Sequence, residues 1–352
     1  MNRGIHPALA FAKQVEGWSP GVFSQVDKWR ETDSLAPWRF MTFRQCKHWL
    51  ADWLKRNPAP EEGFLCPQIM KRFPPHIVYM TLAAWRTGKT LLHCDESLFR
   101  MLGETRQTDA LSGEMLRRLP FWGFWLDFPA DMVFAEGQGA LMGAFFTLAD
   151  HDNQTDALLA LTLAQDPLSR EHIPMGMEYL ALTHPVSTAI SQQEEGNRGF
   201  WHAVLPVLFW LCSENSEWGR QGKPVRPAPR RVGKHQRLIP PDKPVQIFAG
   251  ARAGSALRQV PRAPESSTSG YSPSTPHWRL RPHVRKAHWQ SYWKGKPTQG
   301  EEKSMLLKWK PPQIVNGKDD DSLEAVARFM KETNKRENVM NASQLTQEHK
   351  DE

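Results

Sequence analysis

The chain has little of what would classify it fastest. Its 352 residues hold four cysteines, Cys46, Cys66, Cys94 and Cys212, widely spaced and without a C-x-x-C pair. That argues against a zinc ribbon, and a chain of this length does not call for a disulfide framework. Long apolar runs are missing. The longest, 203–212, falls far short of the roughly 20 residues a bilayer-crossing helix needs. The opening MNRGIHPALAFAKQVEGW lacks the apolar segment of a signal peptide, so a soluble, cytoplasmic protein with no membrane partner is expected. No internal repeat is found. Tyrosine is scarce, four against fifteen tryptophans. Tryptophan is large and rarely hides completely, so some of these should line grooves or half-wet surfaces.

What is present is unevenly placed. Net charge is +7. Residues 220–310 hold 20 Lys and Arg against four acids, a net of +16, which leaves −9 for the remainder. A basic segment on a mildly acidic body suggests a polyanion partner, RNA or the ribosome. A basic linker kept soluble by its charge is the plainer alternative.

Periodicity predicts an α+β protein: a helical N-terminal part, a central antiparallel sheet with covering helices, and a basic C-terminal module containing strands. Ser19-Pro20 reads as a helix start, followed by Val22, Phe23, Val26 and Trp29 at helical spacing. Thr42 reads as a cap for a second helix with Phe43, Cys46, Leu50, Trp53 and Leu54 on one stripe. PPHIVYMTLAAWRTGK gives a third, ending near Gly88, and Asp95 caps a fourth. LPFWGFWLDFP, GALMGAFFTLADHDN, DALLALTLAQDP and MEYLALTHP are short apolar runs bounded by turn residues, and read as consecutive antiparallel strands. Two helices follow, the second with Pro206 inside, which implies a kink or a late start. The expected division is 1–118 helical region, 119–218 sheet with helices, 219–277 basic Pro/Gly-rich linker, 278–317 basic aromatic module and 318–352 polar tail. Within the linker, VQIFAG suggests a strand and GARAGSALR a turn.

The densest candidate site is RPHVRKAHWQSYWKG (281–295), with two histidines, two tryptophans, a tyrosine, four cations and no acid. His283 and His288 among cations are the kit of a metal-independent ribonuclease, since imidazoles move protons near neutral pH and cations hold a phosphate. The same residues suit binding without chemistry, with aromatics stacking bases and Arg281, Arg285, Lys286, Lys294 and Lys296 neutralising RNA phosphates. They equally suit packing, with aromatic rings laid on cation stems. Asp127, Asp131 and Glu136, and Asp150, His151 and Asp152, are placed to hold Mg²⁺ or merely to form turns; turns are the better fit, and no metal or cofactor is expected. Gly88-Lys89-Thr90 lacks the first glycine and preceding strand of a phosphate loop. Trp122, Trp125, Trp201 and Trp210 belong either to the core or to an aromatic groove for an extended peptide.

Several of these strings, in this order, resemble an anti-CRISPR family of the type V-A systems: AWR (84–86), CDES (94–97), LPFWGFWLDF (119–128), LPVLFWLC (205–212), GKPV (222–225), GARAGSALR (250–258), RPHVRKAHWQSYWKG (281–295) and LKWKPPQIVNG (307–317). The last two are the most specific. The first 60 residues match weakly, and the tail after Gly317 looks like an extension. The resemblance implies an inhibitor that lowers production of the effector nuclease by recognising its nascent N-terminal peptide at the ribosome and causing loss of the message. It supplies no catalytic set. It marks only Pro282, His283, Arg285, His288, Trp289, Tyr292 and Trp293 as a functional patch. An adaptor that is not an enzyme is therefore the leading expectation. A ribonuclease using His283 and His288, or a mobile-element protein with another peptide target, are the alternatives.

Overall fold

The computed structural model describes residues 5–24, 43–56, 75–105, 111–135, 139–151, 155–165, 172–217, 229–232, 234–238, 241–259, 283–294 and 304–315. Among the described residues, the named helices α1 (Pro7–Trp18), α2 (Phe43–Arg56) and α3 (Pro75–Arg86) come first. Strand β1 (Thr90–Cys94), helix α4 (Glu96–Glu104), a 3₁₀ turn (Gly113–Arg118) and β2 (Gly123–Asp127) follow. A small ribbon, β3 (Phe134–Ala135) and β4 (Gly139–Ala140), precedes the meander β5 (Gly143–His151), β6 (Thr155–Gln165) and β7 (His172–Ala181). Next come α5 (Val186–Ser191), α6 (Glu195–Leu211), β8 (Pro229–Val232), β9 (His235–Leu238), β10 (Val245–Ala249) and α7 (Ala251–Gln259). The described chain ends with β11 (His283–Arg285), β12 (His288–Lys294), β13 (Ser304–Lys310) and β14 (Gln313–Val315).

The α+β class and the antiparallel run β2-β5-β6-β7 are as expected. The sheet is wider, however: six strands in the order β10-β1-β2-β5-β6-β7. Strands β10 and β2 both run parallel to β1, with Leu92 opposite Ile247 and Leu126. The sheet is thus mixed. Strand β1 was missed because TLLHC is short, lies between two strong helices and has no turn dipeptide after it.

Both faces are covered, so strands read as near-continuous apolar runs instead of clean alternation. One face carries Leu92, Phe124, Leu126, Phe146, Leu158 and Leu180 against α4, α5 and α6. The other carries Leu91, Trp125, Phe145, Leu159 and Leu161 against α1, α2 and α3. Close approach is bought by small residues: a Cβ on Gly123 would lie 2.5 Å from the Trp85 backbone nitrogen, so only glycine lets β2 pass under α3. Trp85 closes the turn after α3 by donating from Nε1 to the Thr90 carbonyl at 2.9 Å.

Three local expectations change. Ser19 closes α1, its N–H bonding the Val15 carbonyl, and its Oγ lies 2.6 Å from the buried Tyr79 hydroxyl, tying α1 to α3; the expected helical backbone then begins at 22–24, with Val22 and Phe23 buried. Burial pushes that phenol up to about 12. Helix α6 starts at Glu195, well before Pro206, which stands inside it. GARAGSALR is a helix after its first glycine, not a turn. Gly250 adopts φ +75°, and Arg252 and Ala253 N–H groups donate to Glu217 Oε1 at 2.6 and 3.4 Å, satisfying orphan donors of α7. Asp95 caps α4 as expected, accepting from Ser97 and Leu98 N–H groups. The expected cap Thr42 and the tail helix near Leu323 lie outside the described residues. Among the described residues, no helix is long and apolar enough to cross a membrane.

Candidate functional site

Strands β12 and β13 form an antiparallel hairpin with Trp289 opposite Trp309, Ser291 opposite Leu307 and Trp293 opposite Met305. Strand alternation puts these six on one face. Trp289, Leu307 and Trp309 are buried in the same core as α6, with the Trp289 ring 6.3 Å from Phe209, edge to face. Trp309 Nε1 donates to Thr105 Oγ1 at 3.1 Å. Asn215 accepts from the Trp309 N–H at 3.1 Å and donates to its carbonyl at 2.8 Å. One amide side chain thus does for β13 what a neighbouring strand would. Trp293 ends the same row, but its indole is 64% exposed. The packing reading therefore holds for Trp289 and not for Trp293.

The opposite face carries His288, Gln290 and Tyr292 across from Lys310, Lys308 and Leu306. Lys308 Nζ sits 5.3 Å from the Tyr292 ring centroid, a cation–π contact. Lys286 is exposed at the turn before β12. His288 Nδ1 lies 3.2 Å from the Lys286 carbonyl. A carbonyl only accepts, so Nδ1 is the donor in this contact. His283 and His288 belong to different two-stranded pairings, β11 with β14 and β12 with β13. Arg281, Pro282 and Lys296, and the side chains of His283, Arg285 and Lys294, lie outside the described residues. Trp125, Trp201 and Trp210 are fully buried, and Trp122 is partly buried against the α1–α3 side.

A second cluster was not anticipated. His93 is the last residue but one of β1, Asp127 ends β2, and His6 caps α1, accepting from the Ala8 N–H at Nδ1. His6 Nε2 lies 3.2 Å from Asp127 Oδ1, His93 Nδ1 contacts Oδ2, and Trp125 Nε1 donates to Oδ1 at 2.5 Å. Gly143 makes this possible: a Cβ there would lie 2.4 Å from the Trp125 ring. Burial pushes the Asp127 carboxyl up, but hydrogen bonds from His6, His93 and Trp125 outweigh it and hold it well below the usual carboxylate range. His172 is pushed down, first by burial and then by nearby His6. Of the carboxylates weighed for Mg²⁺, Asp131 sits exposed in a left-handed turn (φ 56°). Glu136 and Asp152, and the side chains of Asp150 and His151, lie outside the described residues. Nothing in positions 6, 93 and 127 signals that they meet; only the pairing of β1 with β2 brings them together.

Comparison with known proteins now bears on both sites. A family model described as AcrVA2-like, anti-CRISPR type V subtype A2 family, matches residues 92–317. The chain belongs to this anti-CRISPR family. The matched span runs from β1 through the β11–β14 module, so the hairpin and two of the three clustered side chains, His93 and Asp127, fall inside the anti-CRISPR span and His6 outside it. A solved structure described as the crystal structure of AcrVA2 shares the fold, with a TM-score of 0.60 and 17% identity, over 89% of this chain and 100% of that one. A search of curated proteins returns no match. The anti-CRISPR strings have plain structural jobs. In GARAGSALR, Gly250, Gly254 and Arg258 recur every fourth residue on the α7 face that meets Leu98 and Asp95 of CDES and α4.

Proposed function

We propose that this anti-CRISPR protein recognises the N-terminal peptide of a nascent type V-A nuclease on the ribosome and promotes loss of its message. It acts as an adaptor and not as the nuclease. The observation that carries the reading is the two-faced hairpin. One face is locked into the core through Trp289, Leu307 and Trp309. The other offers Lys308, Lys310 and the Tyr292 ring to solvent or a partner, with exposed Trp293 at the rim. Cations alternating with aromatic faces suit RNA or ribosomal surface, where phosphates are neutralised and bases stack. The excess positive charge of 220–310 points the same way. The family match supports the inhibitor reading itself.

The test is polysome sedimentation in cells translating a type V-A nuclease. The protein is expected to travel with polysomes carrying that message, and to leave them when the first codons of the nuclease are replaced. If it stays with free cytosolic protein during active translation, the reading fails.

A further inference from the structure

We propose that His6, His93 and Asp127 form a binding site for a first-row divalent metal ion, best suited to zinc. The proposal is independent of the adaptor reading. Three observations carry it.

The first is the donor set. Two imidazole nitrogens and a carboxylate oxygen, all within 4.8 Å of one another, are borderline ligands that favour zinc over Mg²⁺ or Ca²⁺. Cys94 is the next residue along β1, but burial pushes its thiol well up, and it is not part of the cluster.

The second is placement. Strands β10, β1 and β2 are parallel, and His93 lies near, and Asp127 at, the carboxyl end of its strand, the end at which open parallel sheets take their ligands. His6 reaches the same point from α1. Phe248, near the carboxyl end of the third strand and half exposed, stacks on the His93 ring with centroids 4.8 Å apart and walls one side.

The third is the support around the ligands. Trp125 donates to Asp127 Oδ1 and fixes the carboxylate, as outer hydrogen bonds do at metal centres. Gly143 leaves room for that indole. His93 Nε2 is buried without a hydrogen-bond partner, so the ring's one engaged nitrogen is Nδ1, facing Asp127.

Binding moves each proton that an imidazole shares with Asp127 to that ring's other nitrogen, His93 Nε2 or His6 Nδ1, so both rings stay neutral ligands. The metal then takes His93 Nδ1, His6 Nε2 and one carboxylate oxygen, with a fourth position left for water or a partner's donor group. A proton on His6 Nδ1 would replace the Ala8 N–H contact there; α1 keeps Pro7 in its first turn. The ion would join α1, outside the family span, to the sheet inside it.

The experiment uses the purified full chain, stripped with a chelator and titrated with Zn²⁺ against a chromophoric competitor. One ion per chain is expected. At least tenfold weaker binding is expected in H93Q and in H6Q, with folding of each checked by circular dichroism. An H184A control, away from the cluster, should bind like the parent. Cobalt substitution of the parent chain should give ligand-field bands without a thiolate charge-transfer band. No tight ion in the parent, equal affinity in the folded variants, loss in H184A, or a thiolate band would each overturn the site.

Discussion

Gly254 lies against the carboxylate of Asp95, where a Cβ would come within 1.8 Å of Oδ1. The same carboxylate caps α4 and receives both 2.9 Å contacts from Arg258 Nη1. Gly254→Ala should therefore push α7 off α4 and lower stability by about 1–3 kcal/mol, the usual cost of overpacking. Arg258 is half exposed, so Arg258→Ala should cost about 1 kcal/mol or less. Chemical denaturation of the two variants checks the order.

The two tryptophans of β12 should separate cleanly. Trp289→Ala empties a core position and is expected to cost about 3–5 kcal/mol. Trp293→Ala removes an exposed ring and should leave the melting temperature close to that of the parent. If Trp293 serves a partner surface, its loss should weaken polysome association while stability stays put. Thermal melts and sedimentation of both variants give the answer.

Asn215→Ala removes two bonds to the Trp309 backbone and leaves that N–H and carbonyl to compete for water. A loss of about 1–3 kcal/mol is expected. Hydrogen exchange should rise first along 304–310, before the sheet, because Asn215 is the group that holds the Trp309 backbone.

Glu178 sits buried on β7 with Oε2 unpartnered. Burial first, and the charge of Glu194 second, push it from the ordinary 4.5 to about 7. A raised carboxyl binds more protons folded than unfolded, so stability falls as pH rises from the ordinary value through 7. Glu178→Gln should flatten that fall, by roughly 1–3 kcal/mol near pH 8. Melts of both proteins between pH 4 and pH 8 test it. Parallel curves would show that the carboxyl is not raised.

Much of this was legible. The meander 123–181 and helix α6 announce themselves through apolar runs broken by Gly, Pro, Asp and Asn, and Asp95 carries its cap in the sequence. Ser19-Pro20 marked the helical backbone that follows at 22–24, but carried no sign that Ser19 also closes α1. VQIFAG read as a strand and is β10, but β1 was harder, since its five residues gain their identity from a neighbour far along the chain. That Trp289 is buried and Trp293 exposed is a tertiary fact that the string RPHVRKAHWQSYWKG does not carry. The His6–His93–Asp127 cluster had no local pattern to read at all.

The pairing of Leu92 with Ile247 sets an order of events for synthesis. The meander β2-β5-β6-β7 has its partners close at hand and is free to form as soon as it clears the ribosome. Strand β1 can join β2 early, but its other edge stays bare until β10 emerges. Distant parallel pairing is slow, and an uncovered strand edge invites wrong partners while it waits. Truncation before residue 245 should therefore yield a sticky, incompletely closed sheet, and it is the arrival of β10, with α7 behind it, that seals that edge against α4 before the β12–β13 hairpin docks.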